Sequence, residues 1–367
     1  MSETRPSAQD EKYLRLACRL AAKAVGRTSP NPQVGAVLVH EGKIVGTGYH
    51  QRAGDDHAEI VALKRAGAKA DGATLYITLE PCSHQGRTPP CTGALIRAGI
   101  KQVVCGTKDP NPLVAGRGLR QLKRAGIKVR AGVLEKDCRV LIEAFAKYIT
   151  RRMPFVTLKL AATLDGRIAA AGGDARWISG DKSRHTVHRL RNEVDAVLIG
   201  LGTVKADDPQ LTCRISGGRN PWRIVLDSRL SIPLSAKILR LPDAHKTIIA
   251  TSAAAAPTKA RALEALGVQL WRLPLKLNQV SWRPLLKALA RKGIVTVMIE
   301  GGGATAASAL TEKVVDKIVL FYAPKILGGD GRPMIEQLDI ARVRQAIAVK
   351  DLLVKRSGDD LMVTGYL

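Results

Sequence analysis

The stretch that decides the fold of the first half of this chain is "HAEIVALKRAG", residues 57–67, followed by "LEPCSHQGRTPPC", residues 79–91. His57, and the glutamate two residues after it, open a run whose apolar residues have helical spacing. Cys82 and Cys91 stand beside prolines, and Cys91 opens a second predicted helix. Thiolates are favoured at helix N-termini by the helix dipole. One imidazole, two thiolates and one carboxylate are therefore expected near the starts of two helices.

Short β-branched runs and helical runs alternate around this stretch, which predicts a three-layer α/β/α sandwich. The predicted strands are "VGAVLVH" (34–40), "KIVGTGY" (43–49), "ATLYITL" (73–79) and "KQVVCGT" (101–107), and the helices are 10–25, 135–153 and the runs from His57, Cys91 and Val114. The helix over 135–153 ends before Pro154, because proline cannot continue it. The first domain is therefore expected to span residues 1–150.

The rest of the chain, residues 151–367, shows the same alternation without repeating the first half. Seven runs are apolar throughout, which is typical of parallel strands covered on both faces. They are 155–162, 195–200, 222–227, 246–251, 268–273, 294–300 and 316–323. A second α/β domain follows from this pattern.

The charge and composition limit the class of protein. The 367 residues carry a formal net charge of +26, which favours anionic partners. The excess is divided evenly between the two halves, without a basic tail, so phosphorylated small molecules fit better than nucleic acid. Six scattered cysteines are not a secreted disulfide framework, and neither a signal peptide nor a membrane-spanning run is found. The expected compartment is the cytoplasm.

The residues of the opening stretch match the needs of a zinc deaminase. Zinc with three protein ligands and one open position makes water nucleophilic near neutral pH, and His57, Cys82 and Cys91 are the expected ligands. Glu59 lies beside them as the proton carrier that deamination needs. Zinc nucleobase deaminases usually have two residues between the cysteines, whereas this chain has "SHQGRTPP". The alternative is a helix that happens to contain histidine and glutamate, with two unrelated buried cysteines.

The motifs "TSPNPQVGAVLVH", "HAEIVALKRAG", "TLEPCSHQGRTPPC" and "KDPNPLVAGRG" together resemble the deaminase half of the bifunctional deaminase/reductase family of riboflavin biosynthesis. The resemblance implies a cytidine-deaminase-like fold for this half. It also implies that Asn31 binds a pyrimidine, that His84 and Arg87 hold a ribose phosphate, and that Asp109 and Asn111 lie nearby in the pocket. Asn-Pro is also a common turn, which is the structural alternative for Asn31 and Asn111.

In the second half, "IVTVMIEGGGATAASAL" (294–310) reads as strand, glycines and helix, an arrangement that binds phosphate at a helix N-terminus. Together with "LKLAATLDGRIA", "ARWISG" and "DAVLIGLGTVKADDPQLTCR" it resembles the reductase half of the same family, which is similar to dihydrofolate reductase and binds NADPH. The resemblance implies a cofactor site of Ala161, Trp177, Thr203, Asp207, Ser228 and the turn Gly301, Gly302, Gly303, Ala304, Thr305, Ala306, Ala307 and Ser308, with Arg229 near the 2′-phosphate. It implies a sugar-phosphate site of Lys159, Arg191, Leu211, Arg214 and Glu300.

Other residues on the same segments are expected to be structural. Ala175 stands where the family more often has serine, so one substrate contact is missing from the pattern. His185 and His188 lie on the helical run 181–193 and are expected to serve surface or packing roles. The four cysteines outside the opening stretch are expected to be structural.

The resemblance implies an enzyme that processes one phosphoribosyl pyrimidine twice. The first half deaminates 2,5-diamino-6-ribosylamino-4(3H)-pyrimidinone 5′-phosphate with zinc, and the second reduces the ribosyl chain with NADPH. The proton donor of the reduction is left open among Lys159, Asp207 and Glu300. A homo-oligomer, dimeric or larger, is also implied, and neither nucleic acid nor a membrane is expected as a partner. The alternatives are an RNA-editing zinc deaminase with a basic nucleic-acid-binding C-terminal domain, and a C-terminal domain that senses nucleotides without catalysis.

Overall fold

The first part of the chain folds as a five-stranded sheet between two layers of helices. A computed structural model describes residues 7–83 and 90–367 and separates into two compact units, Met1–Arg152 and Met153–Leu367. The elements of the first unit are α1 (Ala8–Ala22), β1 (Gly35–His40), β2 (Lys43–Tyr49), α2 (Ala58–Ala66), β3 (Thr74–Leu79), α3 (Cys91–Arg97), β4 (Gln102–Thr107), α4 (Arg117–Arg124), β5 (Lys128–Ala131), α5 (Glu135–Leu141) and α6 (Glu143–Arg151).

The strand order β2-β1-β3-β4-β5 places the three parallel strands β3, β4 and β5 together at one side of the sheet. One face is covered by α2, α3 and α4, whose Ala62, Leu95 and Leu122 join the core. The other face is covered by α1 and α5 through Leu14 and Cys138. The predicted three-layer sandwich is therefore confirmed.

Three details of the first unit differ from the sequence-based expectation. The helix expected over 135–153 is broken at Ile142, whose φ of −115° lies outside the helical range and starts α6 anew. The helix expected from Val114 begins at Arg117, because Gly116 adopts a left-handed conformation before it. The strand β5 was not predicted; it has four residues, and none of them is fully buried.

The second unit contains a nine-stranded sheet with helices on both faces. Its elements are β6 (Phe155–Thr163), β7 (Arg167–Ala169), α7 (Asp181–Glu193), β8 (Ala196–Gly200), α8 (Leu201–Asp207), β9 (Trp222–Leu226), β10 (Thr247–Thr251), α9 (Pro257–Ala265), β11 (Gln269–Arg272), β12 (Leu275–Lys276), β13 (Gln279–Val280), α10 (Trp282–Arg291), β14 (Thr296–Ile299), α11 (Gly303–Thr311), β15 (Lys317–Ala323), β16 (Arg332–Pro333), β17 (Lys350–Ser357) and β18 (Asp360–Tyr366). Short 3₁₀ turns cover Gly67–Ala70 in the first unit and Lys237–Leu239, Ala244–Lys246 and Val343–Gln345 in the second.

The sheet runs in the order β11-β10-β9-β8-β14-β6-β15-β18-β17. All seven predicted strands are present, and the central ones are buried as their apolar sequences require. Helices α10 and α11 pack on one face, whereas Val204 of α8 and Leu263 of α9 pack on the other. The antiparallel hairpin β17–β18 was not predicted, because "KDLLVKRS" shows neither alternation nor a continuous apolar run.

Arg223 of β9 is a fully buried cation in the core of this unit. Its guanidinium pairs with the Asp243 carboxylate at 3.0 Å, and the exposed fractions of the two side chains are 0% and 21%. Its Nε also donates to Thr247 Oγ1 at 3.0 Å. Asp243 thus neutralises the buried charge of Arg223. A buried charge strongly destabilises the fold when its partner is removed.

We expect Asp243→Asn to lower the free energy of unfolding of this unit by about 3 kcal/mol, because it leaves the Arg223 charge buried without a counter-charge. Urea unfolding at neutral pH measures the change. Glu312→Gln is the control: it removes the partner of Lys276, whose side chain is 60% exposed, and should cost less than about 1 kcal/mol. Equal losses for the two variants would contradict the assignment of a structural ion pair to Arg223.

Candidate functional site

The first candidate site lies at the N-terminus of α2, which is held close to β2. A Cβ atom on Gly48 would come within 2.1 Å of the Ala58 carbonyl oxygen, and one on Gly46 within 2.3 Å of the Ala62 carbonyl oxygen. Only glycine allows the helix backbone to approach so closely. His57 is the residue immediately before the helix. The glycines of β2 therefore set the position of the histidine and of the first turn that follows.

His57, Cys82 and Cys91 converge as the sequence predicts. The His57 Nδ1 atom lies 3.2 Å from Cys91 Sγ and 3.6 Å from Cys82 Sγ, and the three ligand atoms lie within 4.8 Å of one another. Tetrahedral zinc, with bonds of about 2.1 Å to nitrogen and 2.3 Å to sulfur, places such ligand atoms about 3.6 Å apart. One nitrogen and two sulfurs at these separations fit a zinc ion.

The electrostatics of the site favour a thiolate at Cys82. The Cys91 thiol and the His57 imidazole donate hydrogen bonds to its sulfur and, against the effect of burial, hold the pKa of Cys82 at about 4. The Cys91 backbone N–H adds a further hydrogen bond of 3.4 Å. Metal binding requires deprotonated thiols. The start of α3 thus prepares Cys82 as a ligand.

Glu59 lies in the first turn of α2, and 3% of its surface is exposed. Burial raises the pKa of its carboxyl group above the ordinary value, with the nearby His57 acting in the opposite direction. A carboxyl group with a raised pKa can both accept and donate a proton near neutral pH. Glu59 is therefore suited to carry protons beside the metal ligands.

These side chains open into a cavity of about 400 Å³. Asn31, Asp109 and Asn111 also line it, so the structure brings these three predicted residues to the site. The Asp109 carboxylate accepts from the Asn111 N–H at 2.8 Å, and the Asn111 side chain accepts from the Leu113 N–H at 3.0 Å. Both residues therefore shape their loop as well as the cavity. His84 and Arg87 lie outside the described residues.

Several residues of the cavity were not predicted. His50 accepts from the Asn31 amide through Nε2 at 3.1 Å and donates through Nδ1 to the Asp56 carbonyl oxygen at 3.1 Å, while burial lowers its pKa. Phe145 and Tyr148 reach the cavity from α6. Their spacing of three residues in a chain with few aromatic residues was the only available signal.

Glu80, also missed, fastens the loop that carries Asp109. Its carboxylate accepts from the backbone N–H groups of Asp109 at 3.1 Å, Gly116 at 2.8 Å and Leu119 at 3.2 Å. These contacts join the end of β3 to the segment between β4 and α4. A buried carboxylate that is satisfied by three N–H groups makes this loop rigid.

The second candidate site surrounds the Glu300 carboxylate, which follows β14. Arg191 of α7 binds it through two hydrogen bonds, Nε to Oε1 at 2.7 Å and a terminal nitrogen to Oε2 at 2.9 Å. Lys159 of β6 lies 3.8 Å from Oε2. Although burial acts to raise it, the Arg191 ion pair holds the pKa of Glu300 below its ordinary value. Burial lowers the pKa of Lys159. Three of the predicted substrate residues therefore meet.

The remaining predicted substrate residues lie on the segment after α8. Arg214 is exposed and bonds to His188 of α7, whereas the Leu211 side chain is 3% exposed within the core. Only the backbone of Leu211 is therefore available to a ligand. The Thr212 carbonyl oxygen accepts from Arg191 at 3.1 Å, which ties this segment to the carboxylate cluster.

Thr203, Asp207, Ser228 and the glycine turn follow the carboxyl ends of the neighbouring parallel strands β8, β9 and β14, where α/β sheets bind ligands. The Gly302 N–H donates to Thr203 Oγ1 at 3.2 Å, and a Cβ atom on Gly200 would come within 2.5 Å of Thr305 Oγ1. The glycine turn and the start of α8 are therefore adjacent, with little room for side chains. Gly303, Ala306 and Ala307 are buried, which leaves Gly302, Ala304 and Thr305 as the accessible part of the helix start.

The other predicted cofactor residues are placed as follows. Trp177 is 63% exposed, with the Arg184 guanidinium 4.6 Å from its ring centre. The Arg176 side chain donates to the Asp207 carbonyl oxygen at 2.9 Å, which joins the Trp177 loop to the end of α8. Ser228, followed by the exposed Arg229, comes after β9, and Ala161 lies within β6.

A separate cavity of about 620 Å³ is lined by Ala304, Ala307 and Ser308 of the glycine turn, by the basic residues Lys276 and Arg283, and by the acidic residues Glu312, Glu336 and Asp339. The Ser308 hydroxyl already accepts from Trp282 Nε1 at 2.9 Å. The last part of the turn therefore faces a cavity of mixed charge.

Comparisons with known proteins agree with both sites. Residues 7–107 match the family model of the cytidine and deoxycytidylate deaminase zinc-binding region. Fold and sites define a bifunctional enzyme, in which a zinc deaminase is joined to an NADPH-dependent reductase. Residues 154–363 match the RibD C-terminal domain. The chain belongs to the RibD family of riboflavin biosynthesis proteins.

Similarity to members of this family extends over nearly the whole chain. The riboflavin biosynthesis protein RibD of Aquifex aeolicus is 48% identical, with 96% of this chain and 97% of the relative covered. The structure of Acinetobacter baumannii RibD matches with a TM-score of 0.86 at 38% identity, covering 98% of both chains. A Thermotoga maritima structure matches with a TM-score of 0.85 at 37% identity and the same coverage. It is named diaminohydroxyphosphoribosylaminopyrimidine deaminase/5-amino-6-(5-phosphoribosylamino)uracil reductase.

The predicted fold classes, both activities and both cofactors are thereby confirmed. The RNA-editing alternative is not favoured, because the second half matches a reductase of riboflavin biosynthesis and not a nucleic-acid-binding module. Among the described helices, none combines the length and apolar character needed to span a bilayer.

Glu80→Gln should reduce ammonia release by this enzyme without loss of zinc. The amide nitrogen of glutamine cannot accept, so at least one buried N–H group loses its partner at a cost of about 2 kcal/mol, and the loop carrying Asp109 loosens. Ammonia release and zinc content are the two measurements. Glu135→Gln, which affects an exposed ion pair on α5, is the control. If Glu80→Gln lost zinc as well as ammonia release, Glu80 would support the metal site and not the loop.

Proposed function

We propose that this enzyme deaminates 2,5-diamino-6-ribosylamino-4(3H)-pyrimidinone 5′-phosphate and then reduces 5-amino-6-(5-phosphoribosylamino)uracil with NADPH to the ribitylamino product. The observation that carries the first step is the convergence of His57, Cys82 and Cys91 at a cavity that His57, Cys82 and the buried Glu59 line. The name of the Thermotoga maritima relative supports the choice of substrates.

In the deaminase site, His57, Cys82 and Cys91 hold zinc. When bound, zinc makes a water molecule nucleophilic near neutral pH. Glu59 would be placed to move a proton from the attacking water to the departing amino group, a role that its raised pKa suits. The remaining predicted residues bind substrate: Asn31, Asp109 and Asn111 the pyrimidine, and His84 and Arg87, which lie outside the described residues, the ribose phosphate.

When bound in the reductase site, NADPH would provide the hydride for reduction of the sugar at its anomeric carbon. The glycine turn Gly301–Ser308 and Thr203 hold its phosphates, Ala161, Trp177, Asp207 and Ser228 line it, and Arg229 faces its 2′-phosphate. Lys159, Arg191, Arg214, Glu300 and the backbone of Leu211 hold the sugar phosphate. Because the Arg191 ion pair keeps Glu300 deprotonated, Lys159 and Asp207 are the better proton donors.

Glu59→Gln tests whether the two activities reside in separate sites. The variant keeps the shape of the side chain but cannot carry a proton, so ammonia release should fall by about 10²-fold or more. Zinc content, and NADPH oxidation with the deaminated substrate, should equal those of the unaltered enzyme. Cys82→Ser should differ by losing zinc as well. Loss of NADPH oxidation in Glu59→Gln would rule out independent sites, and no NADPH oxidation by the unaltered enzyme would exclude the reductase assignment.

We place the functional boundary at residue 150, so that residues 1–150 form the deaminase and residues 151–367 the reductase. The end of α6 at Arg151 and the two compact units support this division. The cytoplasm is the proposed compartment. The six free thiols support it, because two of them must stay reduced to bind zinc.

We propose that the enzyme is a homo-oligomer that pairs two copies through β17. This strand forms one end of the nine-stranded sheet, and no strand among residues 7–83 and 90–367 pairs with its outer edge. The exposed fractions of Leu352, Leu353 and Val354 are 60%, 48% and 52%. Successive residues point to opposite faces, so both faces of this edge are apolar. An edge with open backbone groups and apolar side chains is a template for another strand, and a second copy would bury both edges at once.

Leu353→Glu should convert the oligomer to a monomer, because a charge on an edge strand opposes pairing. Light scattering after size-exclusion chromatography at micromolar concentration measures the mass. Leu277→Glu, at an exposed leucine in the β12–β13 turn, is the control and should keep the oligomer. A monomeric unaltered enzyme would contradict the proposal, and an oligomeric Leu353→Glu variant would exclude β17 as the interface.

A further inference from the structure

His188 of α7 contacts Arg214 twice. The Arg214 Nε–H group points at the imidazole Nε2 at 3.2 Å, and the Arg214 backbone N–H points at Nδ1 at 3.3 Å. Arg191 lies one turn further along α7, on the same side of the helix. His188, for which the sequence predicts a surface or packing role, therefore contacts the segment that carries Arg214 from the side of α7 that also carries Arg191.

The chemistry of imidazole makes this contact dependent on a neutral ring. A neutral imidazole has one nitrogen that accepts a hydrogen bond, and an imidazolium has none. The charged groups that face the ring are Arg191 from α7, Arg214 from the segment after α8 and Glu300 from the turn after β14. Burial, with the charges of Arg191 and Arg214, lowers the pKa of His188 against the opposing effect of Glu300. The ring is therefore neutral at physiological pH. Its single acceptor nitrogen can serve only one of the two Arg214 groups, and in the tautomer with hydrogen on Nδ1 it is Nε2 that accepts from the guanidinium.

We propose that His188 is a positioning residue of the reductase, which holds the Arg214 guanidinium in the direction of the substrate phosphate. The proposal rests on the function proposed above for Arg214. An exposed arginine has many rotamers, and binding a phosphate with it requires that most of them be given up. A neighbour that already restricts the guanidinium lowers this cost and so improves affinity for the phosphorylated substrate.

The test compares His188→Leu, His188→Gln and His185→Leu in the full-length enzyme by NADPH oxidation. His185 is the matched control, because it lies on the same helix and is exposed. His188→Leu should raise KM for 5-amino-6-(5-phosphoribosylamino)uracil about tenfold, the effect of losing one hydrogen bond to a charged group, and leave kcat within about twofold. KM for the same compound without its phosphate should not change. His188→Gln, which retains an acceptor, should restore most of the affinity.

The pH dependence gives a second readout. In the unaltered enzyme, KM should rise as the pH falls through the pKa of His188, because the added proton removes the acceptor. The phosphate of the substrate also titrates in this range, and His188→Gln corrects for it, since both enzymes use the same substrate. The KM of the unaltered enzyme divided by the KM of His188→Gln should therefore rise as the pH falls. A constant ratio would overturn the proposal.

A double-mutant cycle with Arg214→Ala separates this inference from the assignment on which it rests. If His188 acts through Arg214, adding His188→Leu to Arg214→Ala should produce no further rise in KM. An Arg214→Ala variant with unchanged KM would refute the assignment of Arg214 and this proposal with it. A raised KM in Arg214→Ala but not in His188→Leu would refute the role of His188 alone. If His188→Leu weakened the affinity for the substrate with its phosphate and without it by the same factor, His188 would only support the fold.

Discussion

A carboxylate that leaves water must be compensated within the protein, and both units of this enzyme build their functional residues around such a group. In the first unit, Glu80 accepts three backbone N–H groups and thereby fixes the loop that carries Asp109 and Asn111. In the second, Glu300 is bound by Arg191 and lies near Lys159. The energetic demand of the buried charge thus determines where neighbouring polar groups lie, and these groups form the sites.

The two carboxylates compensate their charge in different ways. Glu80 uses neutral backbone donors, so its charge is compensated without a cationic side chain among the described residues. Glu300 uses the cation Arg191, with Lys159 nearby, which agrees with the sugar-phosphate site proposed above.

Much of the fold and of the metal site could be predicted, because the evidence is local in the sequence. Continuous apolar runs indicated the parallel strands, and the histidine and cysteines stood at predicted helix starts. The resemblance to the deaminase/reductase family, which the comparisons confirm, supplied the substrate and cofactor residues. Their individual roles stay predictions, although most of them meet in the two sites. The hairpin β17–β18 escaped prediction because its strands show no clear apolar period, although Gly358 stands in its turn. The break at Ile142 escaped because no proline or glycine marks it.

The sequence by itself determined the residues that supply the zinc ligands, the two α/β units and the glycine turn. These features depend on residue type and on short-range spacing. The tertiary structure alone decided which distant polar groups meet. Glu80 bonds to Leu119 across 39 positions, and Arg214 meets His188 across 26. The sequence suggested a surface or packing role for His188, and only the packing of α7 beside the segment after α8 brings it to an arginine. Such pairs are specified by the geometry of packed elements, which no local pattern records.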